Sequence, residues 1–487
     1  MTSVPDGATG VDPLSVLSRF RVEFYESLYA RADVLFELTD AVLCTDGPVK
    51  TLVELSLAHE MRRGHGALYA ALDKGWCEPT RLRRTPADLP LPRTADGRIT
   101  LAVDVSNWLR SDANTSPDRL FCHVHGRRAD RTCDQMIPGR PYSFVAALES
   151  GRTSWCALLD AVRLGPADDA TTVTAAQLRE VVTRIIAAGH WSNGDPDMLI
   201  VMDAGYDSAY LSHALADLPV VLVGRLRSDR VMLRDAGPAR SGPRGGRPRK
   251  HGGVLTFAKP ESWHAPEITK VTDTTRYGKA EAMAWDRMHP RLTHRGPWLE
   301  HPTEELPLLH GTLIRLRVER LPGEATPKSV WLWCSATDAA PATVDLWWRT
   351  FLRRFDIEHT FRMIKQTLGW TAPHLRHPEA ADLWTWLIIA AHTQLRLARP
   401  LAEDLRRPWE RPWERPAKNE HLSPARVRRG FRNLRRKVAR PAAAPKPSRP
   451  GPGRPPGSRN KHKTRPQPVG KTVKRAETIK EHEQRRG

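Results

Sequence analysis

The stretch Trp347–Trp370, WWRTFLRRFDIEHTFRMIKQTLGW, decides how the rest of this 487-residue chain is read. It contains no proline and no glycine before Gly369, and Ile357, Phe361, Ile364 and Leu368 recur at offsets of four, three and four. That spacing predicts one amphipathic helix with a buried stripe. At about 100° per residue, Phe351, Arg354, Glu358, Arg362 and Lys365 fall within a sector of roughly 80°, and Asp356 points away from it. One acid therefore stands among three cations beside the buried stripe. A carboxylate so placed can take a metal ion while the cations hold phosphates.

Two more acids lie upstream, each at the end of an apolar run. Arg98–Val105, RITLAVDV, reads as a strand with Asp104 at its C-terminal end. Asp197–Asp203, DMLIVMD, reads as a second, followed by Ala204-Gly205-Tyr206, a helix over Asp207–Leu215 and a strand over Val220–Gly224. Strand, glycine turn, helix, strand is an α/β layout. Asp203 terminates its strand, whereas Asp207 sits where a helix cap belongs, so Asp203 is the candidate ligand.

Phe351-x2-Arg354-x3-Glu358-x6-Lys365 resembles the YREK signature of one branch of bacterial insertion-sequence DDE transposases, with Phe in place of Tyr. The D-x-G-Y at Asp203 resembles that branch's second-aspartate motif. The resemblance spans roughly residues 98–400. It implies an RNase H-like catalytic core in which Asp104, Asp203 and Glu358 are catalytic and hold Mg²⁺, or Mn²⁺ in its place. It also implies cut-and-paste transposition: water nicks the element end, and the freed 3′-hydroxyl goes on to attack the opposite strand. Arg354 and Lys365 would grip DNA, and Phe351 would keep only the apolar part of the tyrosine's contact. The implied partners are DNA, as terminal inverted repeats and target, and a second copy in a homodimer on paired ends. The alternative is a catalytically inactive, transposase-derived DNA-binding protein.

The charge agrees with a polyanion partner. From His421 to Gly487 there are 21 Lys and Arg against 3 Asp and Glu, a net of +18, which leaves 55 against 52 and a net of +3 in residues 1–420. A basic arm on a balanced body suits phosphate binding. SGPRGGRPRKHGG at 241–253 offers Arg247, Arg249 and Lys250 as a minor-groove hook, and Arg454 lies in a second GRP tripeptide. The six cysteines are scattered, no stretch is long and apolar enough to span a bilayer, and no signal peptide is read. These features place the protein in the bacterial cytoplasm at the nucleoid, away from membranes. Cys122, His123, His125 and Cys133 match no standard structural zinc spacing.

The expected organisation is α/β. Residues 1–97 form an N-terminal helical, DNA-binding domain, with Arg62 and Arg63 at a glycine turn that could belong to a helix-turn-helix. Residues 98–233 form the first part of the core, 234–338 a β-rich insertion with the basic loop, and 339–404 the catalytic helix and remainder of the core. Residues 405–487 form a basic linker and a disordered tail, with a basic helix near Val427–Val438. Trp285 and Trp298, in the insertion, read as packing residues with base stacking as the rival role.

Overall fold

The computed structural model describes residues 12–128, 131–151, 153–166, 168–236, 250–299, 301, 303, 305–321, 326–406, 421–447, 457 and 464–470. Arg247, Arg249 and Arg454 lie outside them.

The chain starts with helices. α1 (Pro13–Glu26) opens with Pro13 at its first turn and Asp12 accepting from the Leu14 and Ser15 amides, which satisfies donors that the helix itself leaves free. Strand β1 (Leu28–Ala30) pairs with β2 (Trp76–Cys77), and between them run α2 (Ala32–Cys44), α3 (Leu52–Ser56) and α4 (His65–Lys74). α5 (Pro79–Ala87) leads into the sheet. The strands β3 (Thr100–Leu109), β4 (Arg119–Arg128), β5 (Arg131–Leu148) and β6 (Cys156–Arg163) form an antiparallel run. α6 (Ala170–Ala187) crosses to β7 (Met198–Met202), and α7 (Ser208–Ala214) to β8 (Val220–Leu226). β9 (Val231–Leu233) and β10 (Val254–Thr256) pair as a small ribbon. Then come β11 (Ile268–Thr274), β12 (Gly278–Met288), β13 (Gly311–Val318) and β14 (Val330–Cys334). Four helices follow, α8 (Pro341–Leu352), α9 (Phe355–Gln366), α10 (Pro378–Ala398) and α11 (Pro424–Arg435), and finally the short strand β15 (Val469–Gly470).

Strands pair in the order β11-β12-β13-β14-β8-β7-β3-β5-β4-β15, with β6 also on β5. β3, β7 and β8 are mutually parallel. Their side chains alternate between two buried layers. Ala102, Leu199 and Val201 join the core under α1, α2 and α8–α11. Leu101, Val103, Ile200 and Met202 face the core under α6 and α7. Burial on both faces is why these strands read as unbroken apolar runs.

The structure departs from the sequence reading in several places. The predicted single helix is two, broken at Arg353 and Arg354, where the Arg354 amide bonds back to the Phe351 carbonyl and the Ile357 amide to that of Arg354. The break lets α8 pack on β8 and β11–β13 while α9 packs on β3, β5 and β6. β3 runs on to Leu109, so Asp104 is in mid-strand and does not end it. The β-rich segment continues the main sheet, because β14 pairs with β8. Trp285 and Trp298 are buried there.

The described part of the tail is also packed. α11 lies on α2 and α10, with Arg428 donating to the Val42 carbonyl at 2.9 Å, Arg432 to Glu60 at 3.0 Å and Arg435 to Asp40 at 2.7 Å. Arg432 and Arg435 neutralise acids of the helical layer and Arg428 is tied to a backbone carbonyl, so these three are not a free arm for DNA. The turn cations are committed in the same way. Arg62 and Arg63 each reach Glu37 at 2.6 Å, and Arg63 also reaches Asp33 at 3.1 Å.

Candidate active site

Asp104 and Asp203 are brought together by strand register. Val103 pairs with Met202 across the parallel β3–β7 ladder, so the next residue on each strand is an aspartate. Counting in twos from Ala102 and Val201 puts both carboxylates on the face covered by α9. Each holds the same local bond: Asp104 Oδ1 accepts from the Val105 amide and Asp203 Oδ1 from the Ala204 amide, both at 2.8 Å. Asp207 caps α7, accepting from the Tyr210 amide at 3.1 Å.

Glu358 reaches the pair from the first turn of α9, which Ile357, Phe361 and Ile364 bind to the core. Arg354, just before that helix, stands among all three acids. Its Nη1 is 2.5 Å from Asp104 Oδ2 and 3.7 Å from Glu358 Oε1, and its Nη2 is 3.5 Å from Asp203 Oδ2. Asp104 and Glu358 therefore lie within about 6 Å of each other, a span that a pair of ions about 4 Å apart can bridge. Exposure rises outward, from 6% for the Arg354 side chain to 18% for Asp104, 35% for Asp203 and 52% for Glu358, so the group opens to solvent at Glu358.

Two guanidinium groups, Arg354 among all three acids and Arg225 beside Asp203, face the three carboxylates. Burial pushes Asp104 up to about 6, the charges of Glu358 and Asp203 push the same way, and Arg354 opposes them. Carboxylate oxygens are the hard donors that suit Mg²⁺ or Mn²⁺, and Asp104, Asp203 and Glu358 offer them. Tyr206 lies beneath them, its phenol held well above the ordinary range by burial first and then by Asp104.

The other expected residues divide. Lys365 is half-buried on α9, with its ammonium 5.6 Å from the centre of the Trp370 ring. Burial lowers its pKa and Glu358 opposes that shift. Phe351 is only 5% exposed and packs in the core, which leaves almost none of its ring to offer DNA. Lys250 donates to the Leu306 carbonyl at 2.8 Å and lies 3.3 Å from Glu305.

The sequence reading passed over a cleft of about 740 Å³ beside Asp203, lined by Gly205, Arg225, Arg227, Arg230, Arg291 and Arg295 among others. Arg225 is 3.5 Å from Asp203 Oδ1. Arg227, Arg230, Arg291 and Arg295 are exposed and have no acid partner among the described residues. The signal available was the spacing of Arg225, Arg227 and Arg230 directly after an apolar strand.

No curated protein matches the chain. A family model described as DDE superfamily endonuclease matches residues 23–291. The match contains both strand aspartates and helices α2 to α7, and it ends before α8 and α9, so Glu358 and Arg354 stand on geometry alone. Nucleases of that superfamily use divalent metal ions, in keeping with the acid-rich centre on β3 and β7. More than half of the chain lies within the match, and on that ground the protein belongs to the DDE superfamily endonucleases.

Proposed function

We propose that the protein is a DNA transposase of the YREK branch, cutting and joining DNA at the ends of an insertion sequence. The observation that carries this reading is the Arg354 guanidinium within 3.7 Å of three carboxylates drawn from three distant stretches, one of which, Asp203, is followed by Ala204 in the lining of an arginine-lined cleft. The RNase H-like core is supported by the central order β6-β5-β3-β7-β8, an antiparallel meander joined to two parallel strands.

Asp104, Asp203 and Glu358 would hold Mg²⁺, with Mn²⁺ able to substitute. When bound, the metal supplies charge neutralisation at the scissile phosphate and lowers the pKa of an attacking water or 3′-hydroxyl. The chain's own groups do the rest. Glu358, the most exposed acid, meets the incoming backbone. Arg354 holds the carboxylates together until the charge of the substrate complex replaces its own. Arg227, Arg230, Arg291 and Arg295 bind flanking phosphates, a contact that positions DNA without reading its sequence. A homodimer on paired ends belongs to the same proposal. Among the described residues no helix is long and apolar enough to cross a membrane.

The test is nicking of a duplex carrying the element's terminal inverted repeats, with Mg²⁺ or Mn²⁺ and with chelator. Metal-dependent nicks at the repeat end that Glu358→Gln abolishes support the proposal. Cleavage unchanged in that variant removes Glu358 from it. A second reading, a DNA-binding relative that no longer cuts, is favoured by one observation: the signature tyrosine is Phe351, and it is buried. Electrophoretic shift of the repeats with no cleavage in Mn²⁺ would select it.

A further inference from the structure

A second group of donors, made of residues other than the three carboxylates, lies where β9, β12 and the start of β13 meet. Asp235, His289 and His310 each offer one donor atom, and these atoms all lie within 4.8 Å of one another. The backbone fixes their positions. Leu233 and His289 exchange amide-to-carbonyl bonds of 2.9 Å in both directions, which sets Asp235 two residues past that bridge. His310 immediately precedes β13, and His251 enters from the far side of the β9–β10 ribbon.

Two of the donors are buried ring nitrogens that make no hydrogen bond. His310 Nε2 is 2.5 Å from Asp235 Oδ1, yet that nitrogen is buried and makes no hydrogen bond. His289 is fully buried, and its Nδ1 is likewise without a partner. His251 Nδ1 and His289 Nε2 share a hydrogen bond of 3.0 Å, which leaves Nδ1 of His289 to act as the donor. A four-coordinate zinc ion with bonds of about 2.0–2.1 Å has ligand atoms about 3.3 Å apart, so small side-chain rotations would close this set on one centre. Buried polar atoms without partners are costly, and imidazoles beside a carboxylate suit Zn²⁺ better than the all-oxygen set that Mg²⁺ prefers.

We propose that Asp235, His289 and His310 form a zinc site, with solvent completing the coordination and His251 holding the outer ring nitrogen of His289. It clips β9 to β12 and to the entry of β13. It also ties together the two ends of the segment between Asp235 and His251, whose sequence carries Arg240, Arg244, Arg247, Arg249 and Lys250. Pro290 and Arg291, next to His289, line the arginine cleft, so the clip stiffens a wall of that cleft. The site stands whether or not the protein is a transposase; only its link to DNA rests on that reading.

The experiment measures metal in the full chain. Wild type and an Asp104→Asn/Asp203→Asn/Glu358→Gln variant are purified, dialysed, assayed for zinc and titrated with Co²⁺. Both should hold one zinc per chain and give the strong visible bands of four-coordinate Co²⁺, because the carboxylate site is not involved. His289→Ala and His310→Ala should hold none. Because His289 is buried, the half-exposed Asp235→Asn and His251→Gln serve as milder variants; they should weaken Zn²⁺ binding about ten- to a hundredfold while leaving the circular dichroism spectrum of the fold unchanged. Absence of zinc and of four-coordinate Co²⁺ in wild type overturns the proposal. So does loss of zinc in the triple carboxylate variant, or zinc affinity unchanged in both milder variants. None of these readouts uses DNA cleavage, so a protein that fails to nick still decides the zinc site.

Discussion

Asp104 and Asp203, 99 positions apart in the chain, occupy the step immediately beyond the Val103–Met202 pair of the β3–β7 ladder. Neighbouring strands lie about 4.8 Å apart, so two ionised carboxylates there repel unless a cation joins them. In the structure that cation is Arg354.

Glu358→Gln keeps the shape of the side chain and removes its charge. Glu358 is half exposed, so the fold should tolerate the change within about 0.5 kcal/mol. Nicking should fall by at least about a hundredfold, the scale for losing a charged group that acts on the developing charge. The check is a nicking time course alongside a melting curve. Normal melting with normal nicking would remove Glu358 from the site.

Asp104 titrates near 6 in the folded protein, through burial first and its acidic neighbours next. The unfolded chain's aspartates titrate near 3.9. The folded state therefore takes up a proton before the unfolded state does. As pH falls from 7 towards 4 the metal-free protein should gain up to about 3 kcal/mol from this group, and the cost should return as pH rises through 6. Metal binding runs the other way, weakening about tenfold per pH unit below 6 because the ligand must be ionised. Melting temperatures of wild type and Asp104→Asn, with chelator and with Mn²⁺ across this range, give both slopes. A wild-type profile that parallels the Asn variant would show that Asp104 does not titrate there.

Arg354→Gln leaves three acids without their shared counter-charge. The Arg354 side chain is almost wholly buried, so the metal-free variant should lose about 3 kcal/mol. Mn²⁺ should then raise its melting temperature more than it raises that of wild type, because the metal replaces the missing charge. An equal or smaller rise would mean that Arg354 is not the partner that metal has to displace.

Arg227, Arg230, Arg291 and Arg295 line one cleft with no acid partner among the described residues. Alanine at any one of them should weaken duplex binding irrespective of sequence. Each should also lower the slope of log affinity against log salt by about one. Binding isotherms at several salt concentrations test this. An unchanged slope would place the DNA elsewhere.

Arg435 marks the contrast. It bonds Asp40, a buried acid shared with the fully buried Arg21, at 2.7 Å. Arg435→Ala should cost about 3 kcal/mol of stability, because Asp40 loses one of its two cations, and should leave the salt slope of DNA binding unchanged. Denaturant melts and the same isotherms separate the two effects.

Much of this protein was legible in its sequence because the informative signals were local. Apolar runs before Asp104 and Asp203 gave the strands, the four-three-four spacing of Ile357, Phe361, Ile364 and Leu368 gave the helix face, and Gly205 with Asp207 gave the turn and its cap. Those patterns arise from backbone geometry within a few residues, which composition and spacing report directly. Charge did not transfer in the same way. The sequence counts every arginine alike, yet Arg354, Arg428, Arg432 and Arg435 are held by buried acids or carbonyls, whereas Arg227 and Arg291 face an open cleft. Which acid stands opposite a given cation depends on contacts between residues hundreds of positions apart. The register of β3 against β7, the break before α9, the seat of α11 on α2 and the meeting of Asp235 with His289 and His310 were therefore decided by tertiary packing alone.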